Sequence, residues 1–206
     1  MRTLFILALL FPLISPAAIL ETQPGDKALE GVKLAKSANF SGKALEQVGA
    51  GLRFKKVVFV KAKVYVGELF LDKPADFVRT SEGALASLDK SNALAMQLNF
   101  LRDVDAKDVQ GAFQDALKEN GVNVEDAAVK KFLEAVKAGG GAKEGKTLVV
   151  AAERKGGKEI VTYEDSAGKA EAIEGGPGFI RQIFSLWLGK ATDSGVENLQ
   201  AGILGK

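Results

Sequence analysis

The chain has 206 residues with 28 basic and 26 acidic side chains, and neither cysteine nor histidine. That length supports one domain with a substantial core, and the near-neutral balance gives no broad basic field for nucleic acid or anionic lipid. Lacking Cys and His, it has no disulfide, no Ser-His-Asp triad, no cysteine nucleophile, no zinc site of the usual ligands and no histidine general base.

The first element is a candidate export signal. Met1-Arg2 is a short positive start, Leu4 to Ile14 an unbroken apolar run, and Ser15-Pro16-Ala17-Ala18 a small-residue stretch of the kind signal peptidase accepts. The run is too short to span a bilayer, and Pro12 would disturb a spanning helix. Residues 1–18 therefore read as a cleavable signal and 19–206 as a single domain, periplasmic or secreted. Without a cysteine at the cut there is no lipoprotein anchor. Removing Arg2 leaves 27 basic against 26 acidic side chains.

Residues 43 to 72 alternate or run apolar and are rich in Val and Phe, as strands are. The clearest stretch is Val57 to Leu71. Val58, Val60, Ala62, Val64 and Val66 share one face, and Lys61, Lys63 and Tyr65 the other, unless a bulge intervenes. Gly67 is a candidate bulge or close approach. Asn92 to Leu101 reads as a second strand with Leu94, Met96, Leu98 and Phe100 on one side. The period then turns helical: Asp105 is a candidate N-cap, Val109, Phe113, Ala116 and Leu117 form a stripe, and Asn120-Gly121 ends it. A second helix over roughly 125 to 137 carries Val129, Phe132, Leu133 and Val136.

Strands at Thr147 to Glu153, Glu159 to Glu164 and Ala170 to Ile173 follow, with hairpin-like breaks at Gly156-Gly157 and Ser166-Ala167-Gly168. Two helices close the chain. One runs Phe179 to Leu188 and stops at Gly189; the other begins at Ser194, with Glu197 completing a capping box. Strands and helices without strict alternation predict an α+β fold with a mainly antiparallel sheet. No P-loop, no G-x-S-x-G and no dinucleotide-binding glycine set occurs, so no cofactor and no metal is expected. Gly139-Gly140-Gly141 reads as a loop, and Asn39-Phe40-Ser41 matches a glycosylation sequon that matters only in a eukaryotic secretory pathway.

Gly49-Ala50-Gly51-Leu52-Arg53, running into the Val58–Pro74 segment, resembles the chalcone-isomerase-like family, and is most similar to its exported bacterial branch. Asn99 to Val104 leading into a helix pair, and Phe184 to Gly189 before a capped helix, fit the same resemblance over roughly residues 40 to 204. The resemblance implies a large antiparallel sheet with a helical layer on one face, an open-faced sandwich with a ligand cleft between the two. It implies an anion-gripping Arg at Arg53 and places Tyr65 where the enzymes carry a Thr and the fatty-acid-binding relatives a Tyr. The remaining polar positions of the enzymes fall near Val109, Ala116 and Leu186, all apolar here.

Arg53 also has a reading of its own. A guanidinium just inside a strand can grip a carboxylate or phenolate in bidentate fashion, and the alternative is pairing with an Asp or Glu of the fold. Tyr65 can donate to the same anion or be a half-buried strand tyrosine with a wet tip. The expectation is thus a non-catalytic binder of a small lipophilic carboxylate such as a fatty acid, with Arg53 and Tyr65 as ligand-binding residues and no catalytic residue. Its alternatives are an isomerase (intramolecular lyase) of the chalcone-isomerase type on an unknown substrate, and a structural or partner protein with a vestigial cleft. Export has a direct check: N-terminal sequencing of the extracytoplasmic protein should find residue 18 or 19 first, and an intact Met1 on that protein would refute the signal.

Overall fold

The computed structural model describes residues 18–58 and 60–206; the candidate signal, apart from Ala18, lies outside them. Strands β1 (Leu20–Leu29), β2 (Val32–Phe40), β3 (Lys43–Val57), β4 (Val60–Leu71), β5 (Ala93–Phe100), β6 (Thr147–Lys155), β7 (Lys158–Glu164) and β8 (Ala170–Gly175) form one sheet in chain order, each antiparallel to its neighbour. The helices are α1 (Ala84–Ser87), α2 (Ala106–Glu119), α3 (Ala127–Gly139), α4 (Phe179–Leu188) and α5 (Ser194–Leu204). This is the α+β architecture that the sequence predicts. No helix among the described residues is long and apolar enough to cross a membrane.

The main core lies between the sheet and the helices. Alternation puts Leu94, Met96, Leu98 and Phe100 of β5 beneath them, joined by Leu69, Leu71, Val150 and Val161. Val109, Phe113 and Leu117 of α2 and Phe132 and Val136 of α3 supply the opposing stripes. Phe113 stacks on Phe132 at 6.2 Å between centroids and meets Trp187 of α4 edge-on at 5.8 Å. The expected hairpin break at Gly156-Gly157 is a tight turn with φ of 60° and 77°, the conformation that favours glycine at both positions.

A second, smaller core covers part of the other face. There Phe70, Ala93, Ala95, Val149 and Ala151 pack with Leu20, Ala35, Ala38, Phe40 and Leu45. The first strands are thus curled back over the sheet: the Ile19 amide donates to Glu164 Oε2 of β7 at 2.7 Å, and Lys43 pairs with Glu153 of β6 at 2.9 Å. Strands β1 and β2 carry no sequence signal. Strand β1 includes Pro24, which an edge strand tolerates, and its pairing shifts register there.

Three local expectations need correction. The stretch from Val57 does not run straight to Leu71: Val57 pairs with Val60 at the end of the β3–β4 hairpin, and Val58 has φ 54°. Val58 and Val60 are exposed, and alternation also fails further on, because Arg53 pairs with Tyr65 and Phe54 with Lys63. Val64 is the extra residue of a bulge, so Val64 and Tyr65 both pack against the main core. The last helix is capped by Asp193, whose side chain accepts from the Gly195 and Val196 amides; Ser194 is its first residue. Asp105 stands at the N-cap of α2, but its side chain makes no capping bond.

Glu68 of β4 is fully buried beneath β2. Its Oε2 accepts from the Ala35 amide at 2.8 Å and Gln47 Nε2 at 2.6 Å; its Oε1 accepts from Asn99 Nδ2 at 2.9 Å and Gln97 Nε2 at 3.4 Å. Burial pushes the carboxyl above its ordinary range, and these four donors offset the shift only in part. The folded protein therefore binds this proton more tightly than the unfolded chain does. The contribution to stability is fully present below the unfolded pKa and is lost as pH rises through the folded one. Urea unfolding of Glu68→Gln should lose this decline between acidic and neutral pH. Identical pH dependence in the two proteins would show that the buried carboxyl is not perturbed.

Candidate functional site

Arg53 and Tyr65 face each other across the β3–β4 ladder, on the side of the sheet that the helices cover. The bulge at Val64 is what turns Tyr65 inward. Its ring packs against Phe100 of β5 at 5.4 Å between centroids, and its hydroxyl faces the indole N–H of the buried Trp187. Burial pushes the phenol up to about 12, against the lowering effects of the Arg53 charge and the Trp187 N–H. Tyr65 is a neutral hydroxyl at physiological pH, as an unperturbed tyrosine also is. The Trp187 indole can only donate, so the tyrosine proton remains free to be given to an anion.

Arg53 Nη2 donates to Asp193 Oδ2 at 2.7 Å. The other oxygen of the same carboxylate accepts from the Gly195 and Val196 amides, at 2.8 and 3.0 Å, at the start of α5. Partial burial pushes the Asp193 carboxyl upward, but the Arg53 hydrogen bond and charge and the two amides outweigh it and hold the pKa below the usual range. Arg53 Nη1 is buried and has no hydrogen-bond partner among the described residues. Gly195 makes the approach possible: a Cβ there would lie 2.1 Å from Nη1 and 1.8 Å from the Phe54 carbonyl oxygen.

Both sequence-predicted site residues thus come together, with one of the two readings of Arg53, a carboxylate of the fold, realised in Asp193. Sequence reasoning missed Asp193, Gly195 and the polar use of Trp187. The signal for Asp193 was an Asp directly before Ser194-Gly195, itself a good N-cap pattern. Val109, Ala116 and Leu186 are all buried in the main core, where they bring no polar group to the site. Two surface depressions lie elsewhere. One of about 190 Å³ sits between α2 and α3 beside Gln110 and Glu134, and one of about 480 Å³ lies between the start of α3 and the β7–β8 strands. Neither reaches Arg53 or Tyr65.

The two duties of Asp193 can be separated. Asp193→Ala removes cap and ion pair and should cost about 1–2 kcal/mol; Asp193→Asn keeps a capping oxygen and should cost less, about 1 kcal/mol or below. A depressed carboxylate contributes stability above its unfolded pKa and loses it as pH falls through the folded value. Urea titrations should therefore show the deficit of the Asn variant vanishing in acid, while the cap deficit of the Ala variant persists. Equal losses in the two variants at every pH would show that Asp193 does not cap.

The same arrangement can be compared with known proteins. No curated protein matches the chain. A family model described as chalcone isomerase-like matches residues 26–205, nearly the whole of the described sequence. This match, together with the eight-stranded antiparallel sheet under its helical layer, establishes that the chain belongs to the chalcone isomerase-like family.

Proposed function

We propose that this protein is an exported, non-catalytic binder of a lipophilic acid such as a fatty acid, with Arg53 and Tyr65 taking the carboxylate. The observation that carries the reading is the buried Arg53 Nη1, without a partner among the described residues, beside a neutral tyrosine hydroxyl and an apolar core. A buried donor of a charged group left unmade is costly, and a ligand carboxylate would satisfy it. The acyl chain would lie between sheet and helices, displacing the side chains that fill that space. Turnover of the chalcone-isomerase type is disfavoured by Val109, Ala116 and Leu186, which offer no hydrogen bond to position a substrate or its developing oxyanion.

A second reading, a structural or partner protein with a vestigial cleft, is favoured by Asp193, which already holds one arm of the guanidinium. Calorimetric titration of a long-chain acid and its methyl ester separates the two. The acid should bind the wild type better than the ester, and Arg53→Ala should weaken the acid about ten- to a hundredfold. Arg53→Lys should also weaken it, because a point charge lacks the planar fork, and Tyr65→Phe should cost about 0.5–1.5 kcal/mol. Asp193→Asn should strengthen acid binding by removing the competing carboxylate. Acid binding that ignores all these substitutions places the carboxylate elsewhere. No binding to the wild type or to Asp193→Asn leaves the structural reading.

A further inference from the structure

Four large apolar side chains stand exposed among the described residues, and three of them are together: Val57, Val58 and Val60, at 54%, 74% and 66% exposure. They form the end of the β3–β4 hairpin. Strand β2 pairs with β3 only as far as Glu46, and β5 pairs with β4 only from Tyr65 onward. The segment from Phe54 to Lys63 is therefore a two-stranded arm extending beyond the sheet. No carboxylate occurs in the sequence between Glu46 and Glu68, while Lys55, Lys56, Lys61 and Lys63 all lie on the arm. Lys63 pairs with Glu30 on the β1–β2 turn, and the Lys61 ammonium lies 4.6 Å from the Phe54 ring centroid. Lys55, Lys56 and Lys61 make no ion pair among the described residues.

An apolar end collared by unneutralised ammonium groups complements a surface that is negative outside and hydrocarbon beneath. Valines gain by entering the boundary between headgroups and acyl chains, and lysines keep their heads among the lipid phosphates while their stems follow the valines. A second copy of the chain fits poorly, because two such ends bring like charges together. Nucleic acid would use the lysines and leave the valines in water. Val58 adds a separate pointer: at φ 54° a β-branched side chain is disfavoured, and Asn or Gly would suit the turn better. We propose that the β3–β4 arm docks the protein on an anionic bilayer surface, with Val57, Val58 and Val60 entering the interface and Lys55, Lys56 and Lys61 binding headgroups. The proposal does not rest on the acid-binding reading.

Co-sedimentation of the protein lacking residues 1–18 tests it, with phosphatidylcholine vesicles and with mixed phosphatidylcholine–phosphatidylglycerol vesicles at low and high salt. Binding should require phosphatidylglycerol and weaken with salt. Changing Lys55, Lys56 and Lys61 together to Gln should lower the partition coefficient on the order of a hundredfold, about fivefold for each charge. Val57→Ser, Val58→Asn and Val60→Ser combined should lower it about ten- to a hundredfold. Val58→Asn alone should weaken vesicle binding while raising the urea midpoint, a combination that loss of folding cannot produce. The proposal fails if the wild type ignores phosphatidylglycerol vesicles, or if either combined variant binds them as the wild type does. It fails equally if sedimentation velocity shows the valines holding a dimer that does not bind vesicles.

Discussion

Helix α5 lies on strand β3 backbone to backbone, and the site exists because it does. A Cβ at Gly49 would sit 2.0 Å from the Ile203 carbonyl oxygen, and one at Gly51 2.1 Å from that of Leu199. From the helix side, a Cβ at Gly202 would meet the Ala50 carbonyl oxygen at 2.6 Å. No side chain larger than hydrogen fits at these crossings. With the axis held that close, the first turn of α5 comes down over Arg53, where Gly195 leaves room for the guanidinium and Asp193 meets it. The Gly49-Ala50-Gly51 string that carries the family resemblance is thus a docking surface for a helix some 150 residues later in the chain.

One guanidinium then serves two demands. Its pairing with Asp193 ties the start of α5 to β3, while its second terminal nitrogen stays buried beside Tyr65, unpaired among the described residues. Under the acid-binding reading proposed above, an incoming carboxylate would satisfy the open donor first and compete for the other. Tyr65 carries a neutral hydroxyl, as tyrosines do at physiological pH, and burial moves its ionisation further away, so it offers a proton where a phenolate would repel an anion. Val109 and Ala116 of α2 and Leu186 of α4, buried in the main core, bring no further polar group to the pair.

The arm that carries the exposed valines is a continuation of the same two strands. From Val60 to Tyr65 is five residues, roughly 17 Å of strand, so a docked arm would hold the Arg53–Tyr65 pair within reach of a membrane surface. On the far side of the sheet, Glu68 and its four donors fasten β2 over β4. Strand β4 therefore connects three features of different character: the arm end, the tyrosine and the buried acid.

By itself the sequence determined the elements whose signals are local. Strand β5, the stripes on α2 and α3, the Gly156-Gly157 turn and the extent of α4 were all legible because side-chain period and turn chemistry act over a few residues. The pairing of Arg53 with Tyr65 was legible through resemblance alone. Strand β1 was not, since a mostly exposed edge strand interrupted by Pro24 has no period to read, and the neighbouring β2 was not read either. Only the tertiary structure decided the Val64 bulge, the partnership of Asp193 with Arg53, and the placing of lysines and valines on one arm. A near-neutral chain gave no reason to expect a basic surface, because net charge averages over residues that folding separates in space. The physical reason is the same in each case: contacts between residues distant in sequence depend on how closely two backbones approach, and that distance is set by packing.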